Sequence, residues 1–139
     1  MTPENAHPAR REGAIVPAIW REFYNQTHVP AAIKSDNLLR LTGHTGEAPD
    51  GAFSDDIRVQ IRQTFENIAV TLSEGGSNWE SVIEINSYHV GLQDQADILL
   101  AVASEFLTVP YPAWTAVGVT ELILPDAVIE ISCVAHLDQ

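Results

Sequence analysis

A single glutamate in an otherwise apolar segment is the side chain with the clearest capacity for chemistry. Glu130 stands in the segment 127–137, where its neighbours are apolar or small. A carboxylate that is taken out of water is costly unless it is protonated or has a partner. Two interpretations therefore remain open for Glu130. It either forms an ion pair or hydrogen bond at an interface, or it positions water and transfers a proton in a cleft.

The histidines and the cysteine follow no pattern that indicates a metal site or a nucleophile. The five histidines are scattered and no two have the spacing of zinc ligands, although His44 and His89 are candidates to converge in the fold. Cys133 falls in an apolar row, which favours a small core residue, and as the only cysteine it forms no disulfide within the chain. The chain also lacks a phosphate-binding glycine motif and a nucleophile elbow. We therefore expect no metal and no cofactor.

The apolar patterning predicts the elements that must position these side chains. In chain order they are strand 37–42, helix 54–74, strand 81–90, helix 94–107, and strands 114–124 and 127–137. Ser54 is expected to cap the first helix and the pair Gly75-Gly76 to end it. Pro125-Asp126 predicts a hairpin turn between the last two strands. We expect an α+β domain over residues 18–139, a single mixed β-sheet with two helices on one face, after an N-terminal arm over residues 1–17.

The last strand predicts what covers the second face of that sheet. One row of its side chains, from Ile129 to Leu137, is uninterrupted and apolar and suits the helix side. The other row contains Glu130 and Ser132 and is neither plainly solvated nor plainly core. Because the chain has no third long helix to cover the second face, we expect self-association to bury it.

The charge balance narrows the classes of partner. Seven Lys and Arg residues stand against 19 Asp and Glu residues, which gives a net charge of −12. Such a chain lacks the clustered cations that nucleic acids and anionic membrane surfaces require. No apolar stretch reaches the roughly 18 residues that a membrane helix needs, and the N-terminus has no secretory pattern. We expect a cytoplasmic protein whose partners are a small molecule and itself.

Several segments together resemble one family. They are Leu38–Thr42 with Gly43, the helix segment 63–68 followed by Gly75-Gly76, the run Pro112-Ala113-Trp114-Thr115, and the segment 128–131. Their order and spacing cover about residues 28–137. On these segments the chain is identified as a member of the Rid/YjgF family, also called endoribonuclease L-PSP.

The resemblance implies a fold like that of the Bacillus-type chorismate mutase. In this family three subunits enclose a central β-barrel, and clefts form at the three subunit interfaces. The best-studied branch hydrolyses enamines and imines such as 2-aminoacrylate. There an arginine holds the substrate carboxylate and a glutamate helps to place the attacking water. Glu130 matches that glutamate, whereas Trp114 stands at the position of the arginine.

The departures from the family pattern imply a more apolar cleft. Leu100 stands where that branch often has asparagine, and Ala116 stands where it often has cysteine. Trp114 either fills the space of the missing arginine or serves as a platform for a planar or apolar ligand. Arg40 is a candidate replacement for the missing cation if its side of the strand lines the cleft.

Two functions from different classes follow from the resemblance. The first is a trimeric hydrolase of an enamine or imine other than a simple 2-imino acid. In it Glu130 orients water, Thr42 and the backbone near Ala116 and Val117 hold polar atoms, and Trp114 packs the substrate beside Leu100. The second is a non-catalytic trimer that binds a small molecule or regulates. The net charge disfavours RNA cleavage, the activity that the older family label suggests.

Overall fold

A computed structural model describes residues 6–137, which form a six-stranded sheet. The strands with the strongest apolar alternation occupy the centre of this sheet. The strands are β1 (Ala14–Ile15), β2 (Ala32–Ser35), β3 (Leu38–His44), β4 (Val82–His89), β5 (Ala113–Gly118) and β6 (Ile129–His136). They lie in the order β1-β2-β3-β6-β4-β5. Only the β4–β5 pair is parallel, so the sheet is mixed, as predicted.

The described residues also form four helices. These are α1 (Pro8–Gly13), α2 (Arg21–Thr27), α3 (Ile57–Glu74) and α4 (Leu92–Ala103). The long helices α3 and α4 pack against each other and on the sheet, which confirms the prediction for these two. Within the predicted arm, residues 8–15 form α1 and β1, while residues 1–5 lie outside the described part. No helix of residues 6–137 is long and apolar enough to cross a membrane.

The start of α3 differs from the prediction by two residues. Asp56 caps the helix, because its carboxylate accepts hydrogen bonds from the backbone N–H groups of Arg58 at 2.9 Å and Val59 at 3.3 Å. The Ser54 hydroxyl instead accepts from the backbone N–H of Asp56 at 3.0 Å. An aspartate and a serine are almost equally good caps, so the sequence alone does not distinguish them. The predicted end is confirmed, since the helix stops at Glu74 before the Gly75-Gly76 pair.

The predicted hairpin between the last two strands is wrong. Strand β5 ends at Gly118 and pairs with β4 in parallel, whereas β6 lies between β3 and β4. Parallel strands need a crossover, and α4 supplies it between β4 and β5. Strand β6 takes the centre because one of its rows is fully apolar, whereas β5 is mostly exposed and forms the sheet edge.

The two rows of β6 separate the core from the open face of the sheet. Ile129, Ile131, Cys133 and Ala135 are buried against the long helices, as predicted. Burial raises the pKa of the Cys133 thiol to about 12, so the sulfur stays protonated and does not act as a nucleophile. The opposite row remains partly exposed and contains Glu130.

Candidate functional site

Glu130 lies on the open face of the sheet and has no partner among the residues that the structure describes. It is opposite Tyr88 of β4 in the strand register. The side chain is half-buried, and this burial raises the pKa of the Glu130 carboxyl group. Among residues 6–137 no side chain forms an ion pair with it, and no hydrogen bond to its carboxyl group is found. Its carboxylate is therefore available to a ligand or to a second chain.

The backbone of β3 comes close to this carboxylate at a glycine. The register of β3 on β6 shifts between Leu41 and His44, and Gly43 lies within the shift. A side-chain carbon at position 43 would overlap the Glu130 carboxyl group. The neighbouring Thr42 hydroxyl donates to the Pro30 carbonyl at 2.7 Å, so its oxygen still accepts a hydrogen bond. We call the group Thr42, Gly43, Tyr88 and Glu130 the carboxylate patch.

Arg40 shares this face but lies too far along the sheet to pair with Glu130. It pairs in register with Val134, four residues along β6 from Glu130. At about 3.3 Å per residue, that separation is roughly 13 Å. Within one chain Arg40 therefore does not stand in for the missing arginine beside Glu130.

Trp114 lies on the other face of the sheet, on the edge strand β5. It pairs with the buried Ile85, and its indole is partly exposed. Beside it is a cavity of about 490 Å³ between β5 and α4, which we call the edge pocket. The residues that line the edge pocket are Leu92, Gln93, Ala96, Leu99, Leu100, Trp114 and Ala116. The structure thus brings Trp114, Leu100 and Ala116 together in an apolar pocket whose lining contains no charged side chain.

A directional chain of hydrogen bonds holds the Trp114 indole. The Gln95 amide nitrogen donates to the carbonyls of Val90 at 2.9 Å and Val128 at 3.2 Å, so its oxygen accepts from His89 Nδ1 at 2.8 Å. The other His89 nitrogen then accepts from the Ser87 hydroxyl at 2.8 Å.

The last bond of this chain runs from the Trp114 indole N–H to the Ser87 oxygen, at 2.9 Å. Burial lowers the pKa of His89, which favours the neutral ring that this direction requires. The single N–H of Trp114 is therefore already used inside the protein, and the indole offers a ligand only its ring surface.

The carboxylate patch and the edge pocket do not converge within one chain. Strand β4 separates β6 from β5, which places their backbones about 10 Å apart, and the two side chains point to opposite faces. Val117 belongs to the face of the patch, pairs with Tyr88 and is 39% exposed. The outer side of β5 has no strand partner among the described residues, so backbone groups near Ala116 and Val117 are available there.

The two histidines that were candidates to converge serve separate structural roles. His44 Nδ1 donates to the Thr42 carbonyl at 2.7 Å, and its Nε2 accepts from the Thr71 hydroxyl at 2.8 Å. His89 has both of its nitrogens bonded to other partners. Neither ring offers a free lone pair, and among residues 6–137 no group of three potential metal ligands is placed to hold an ion.

His44 predicts a pH dependence of stability. Burial lowers the pKa of His44 from 6.5 to about 4, so between these values the unfolded chain binds more protons and stability rises with pH. Because of His44, we expect the free energy of unfolding to fall by about 3 kcal/mol when the pH is lowered from 7 to 4. His89 acts in the same direction. The raised pKa values of Glu47 and Glu130 act oppositely, because their contribution is present at low pH and lost as pH rises.

Urea unfolding of the wild type and of His44→Gln at pH 7 and pH 4.5 isolates this contribution. The difference in stability between the two proteins should shrink, or reverse, at the lower pH. A difference that is the same at both values would show that His44 does not titrate in this range.

The sequence patterns did not predict three residues of these sites, Tyr88, Ser87 and Gln95. The period of two in β4 does place Tyr88 on one face with Asn86, but its pairing with Glu130 depends on the register. No sequence pattern indicates Ser87 or Gln95, because their role exists only once β5 and α4 pack beside β4.

Comparisons with known proteins agree with this architecture. A family model described as endoribonuclease L-PSP matches residues 21–137. The chain is 35% identical over 127 residues to the RutC family protein YjgH of Escherichia coli K12, covering 91% of this chain and 95% of that protein. It is 34% identical over 114 residues to the 3-aminoacrylate deaminase RutC of Acinetobacter baylyi, covering 79% and 86%. A solved structure named Protein YJGH matches with a TM-score of 0.81 at 34% identity, covering 91% of this chain and 96% of that one.

Proposed function

Because the chain belongs to the endoribonuclease L-PSP family, also called Rid/YjgF, we propose that it hydrolyses an enamine or imine that lacks a carboxylate. The cleft forms in a homotrimer, where the carboxylate patch of one copy faces the edge pocket of the next. The observation that carries the proposal is the half-buried Glu130 beside Gly43, whose carboxylate has no partner within residues 6–137. The name of the Acinetobacter relative, a 3-aminoacrylate deaminase, supports the reaction class.

The surfaces left open in one chain support self-association. Glu130 and its row on β6 are only partly covered, and Leu100 on α4 and Val117 on β5 are 56% and 39% exposed. Burying apolar area of this kind stabilises association by about 25 cal/mol per Å². A single chain does not bring the two halves of the site together, so in the proposed trimer they come from neighbouring copies.

Hydrolysis of an enamine or imine requires a base that accepts a proton from water and a cleft that holds the substrate. An enamine first takes a proton on its β-carbon and becomes an iminium ion. Water then adds to the C=N carbon while Glu130 accepts one of its protons. The carbinolamine nitrogen is protonated, the C–N bond breaks, and ammonia or an amine leaves as the hydroxyl loses its proton to give the carbonyl. The raised pKa of Glu130 makes it a better base for this step than an exposed carboxylate.

The lining of the edge pocket determines which substituent the substrate has next to its imine carbon. An arginine offers a charged, bidentate partner to a carboxylate, whereas the Trp114 N–H is neutral and already donates to Ser87. Leu99, Leu100 and the Trp114 ring form apolar walls. The cleft therefore suits a planar or apolar substituent next to the imine carbon.

A coupled oxidase assay tests the proposal. A flavin amine oxidase acting on 2-phenylethylamine releases a carboxylate-free imine together with hydrogen peroxide, whereas ammonia appears only when the imine is hydrolysed. The protein should shorten the lag of ammonia behind hydrogen peroxide. An unchanged lag would overturn the hydrolase and favour the second candidate, a non-catalytic binding trimer, which the occupied Trp114 N–H and the missing arginine support.

The oligomeric state is predicted independently of catalysis. Sedimentation equilibrium should give a trimer for the wild type. Val134→Asp should give a monomer, because it adds a charge to the centre of the open face, where Val134 is partly covered. Glu74→Gln, on the exposed end of α3, should remain trimeric. A wild type that stays monomeric at all concentrations would contradict the cleft between copies.

A further inference from the structure

A second cavity, of about 300 Å³, lies between α2 and the segment that follows β3. It shares no lining residue with the carboxylate patch or the edge pocket. Trp20 and Phe23 line it from the α2 side, and residues 44–45 and 47–51 line it from the other side. This cavity therefore has no part in the proposed hydrolysis.

The charged groups around this cavity are all negative. Glu22, Glu47 and Asp50 line it, and no Lys or Arg does. His44 also contributes, but burial lowers the pKa of His44 to about 4, so its ring is neutral at pH 7. None of the three carboxylates takes part in the Arg62–Glu105 ion pair, the one found among residues 6–137. The lining of the cavity thus carries three carboxylates and no Lys or Arg side chain, which favours a cationic ligand.

Glu47 is the most constrained of these carboxylates. The Asn67 side-chain nitrogen donates to the backbone carbonyls of Thr45 and Glu47, both at 2.9 Å, which holds the backbone of this segment. The Glu47 carboxylate is half-buried, and the Thr45 hydroxyl donates to it at 3.4 Å, a long and weak hydrogen bond. Burial raises the pKa of Glu47. A cation in the cavity would offset the cost of desolvating this carboxylate.

Two aromatic rings line the cavity, and the partly exposed Phe23 ring adds a second attraction for a cation. Trp20 is buried, and its ring packs against that of His44 with centroids 4.6 Å apart. The Trp20 and Phe23 rings meet edge to face, with centroids 5.1 Å apart and planes at 70°. The Trp20 indole N–H donates to the Val29 carbonyl at 2.8 Å, so this ring presents no free donor to the cavity. Aromatic faces attract ammonium groups, most strongly when the site is partly desolvated.

The size of the cavity and the spread of its carboxylates favour an organic cation over a metal ion. Among residues 6–137 no three potential metal ligands are grouped closely enough to hold one ion, so the carboxylates are distributed around the cavity. We propose that the cavity binds a small organic ammonium ion with an aliphatic body. Its charge faces Glu47 and Glu22, and its carbon atoms pack on Trp20 and Phe23.

Isothermal titration with a matched pair of ligands tests this proposal. Choline carries a quaternary ammonium group, and 3,3-dimethyl-1-butanol has the same shape without the charge. The wild type should bind choline saturably and 3,3-dimethyl-1-butanol at least tenfold more weakly. Absence of choline binding at millimolar concentration, or equal binding of both ligands, would overturn the proposal.

Variants locate the binding in this cavity. Glu47→Gln should weaken choline binding about tenfold, because it removes the half-buried charge and keeps the side-chain size. Glu22→Gln changes an exposed residue, so it should also weaken binding while leaving the fold intact, which covers any failure of Glu47→Gln to fold. Glu80→Gln, an exposed carboxylate outside the cavity, serves as the control and should bind as the wild type does. Wild-type affinity in both Glu47→Gln and Glu22→Gln would assign choline to another place.

Discussion

Replacing Glu130 with glutamine is expected to slow the hydrolysis of a carboxylate-free imine by about 100-fold or more, because the amide does not accept a proton from the attacking water. Glutamine keeps the size and polarity of the side chain, so the fold and the proposed trimer should persist. The lag of ammonia behind hydrogen peroxide during the oxidation of 2-phenylethylamine gives the hydrolysis rates of both proteins.

Two further variants separate a catalytic carboxylate from a structural one. Gly43→Ala keeps the glutamate at position 130 but displaces its carboxyl group with a side-chain carbon, so it should also slow the reaction. Glu74→Gln removes a carboxylate at the exposed end of α3 and should leave the rate unchanged. A Glu130→Gln protein with the wild-type rate would show that another group activates the water.

Replacing Phe65 with alanine is expected to lower the free energy of unfolding by about 3–5 kcal/mol, the usual cost of removing a large buried ring. Phe65 is fully buried on α3. Its ring lies 5.1 Å from that of Trp79 and 5.2 Å from that of Phe106, which follows α4. These rings join α3 to the end of α4, the helix that forms one wall of the edge pocket.

Urea unfolding at one fixed protein concentration measures this loss, because association makes the apparent stability of an oligomer depend on concentration. Phe65→Leu is the matched control. It leaves a smaller cavity and should cost less than the alanine variant. Equal stability of the wild type and Phe65→Ala would mean that the ring cluster does not hold the two helices.

The sequence predicted the parts of the fold that depend on local pattern and apolar period. The apolar row of β6, the length of α3 and its end at the Gly75-Gly76 pair all follow from such patterns. The position of β5 does not. The predicted helix between β4 and β5 already allows their parallel pairing. The hairpin with β6 is excluded because β6 inserts between β3 and β4, a long-range pairing that local pattern does not reveal.

The candidate site was predictable in its residues but not in its arrangement. Glu130 is predicted because it is a carboxylate in an otherwise apolar strand, and Trp114 is predicted from the family resemblance. That the two lie on opposite faces depends on the register across β4, which alternation alone does not reveal. The bond from Trp114 to Ser87 likewise needs three elements to pack together. It shows that the indole ring, and not its N–H, is what the pocket offers.

The most direct test of the proposed specificity compares two imines with two proteins. The wild type should accelerate hydrolysis of the imine from 2-phenylethylamine and leave 2-aminoacrylate, generated in situ by a serine dehydratase, at its spontaneous rate. Trp114→Arg should gain about tenfold or more on 2-aminoacrylate, since a charge-assisted hydrogen bond contributes about 1.5–3 kcal/mol. A wild type that hydrolyses 2-aminoacrylate as fast as Trp114→Arg does would contradict the claim that Trp114 excludes carboxylate substrates.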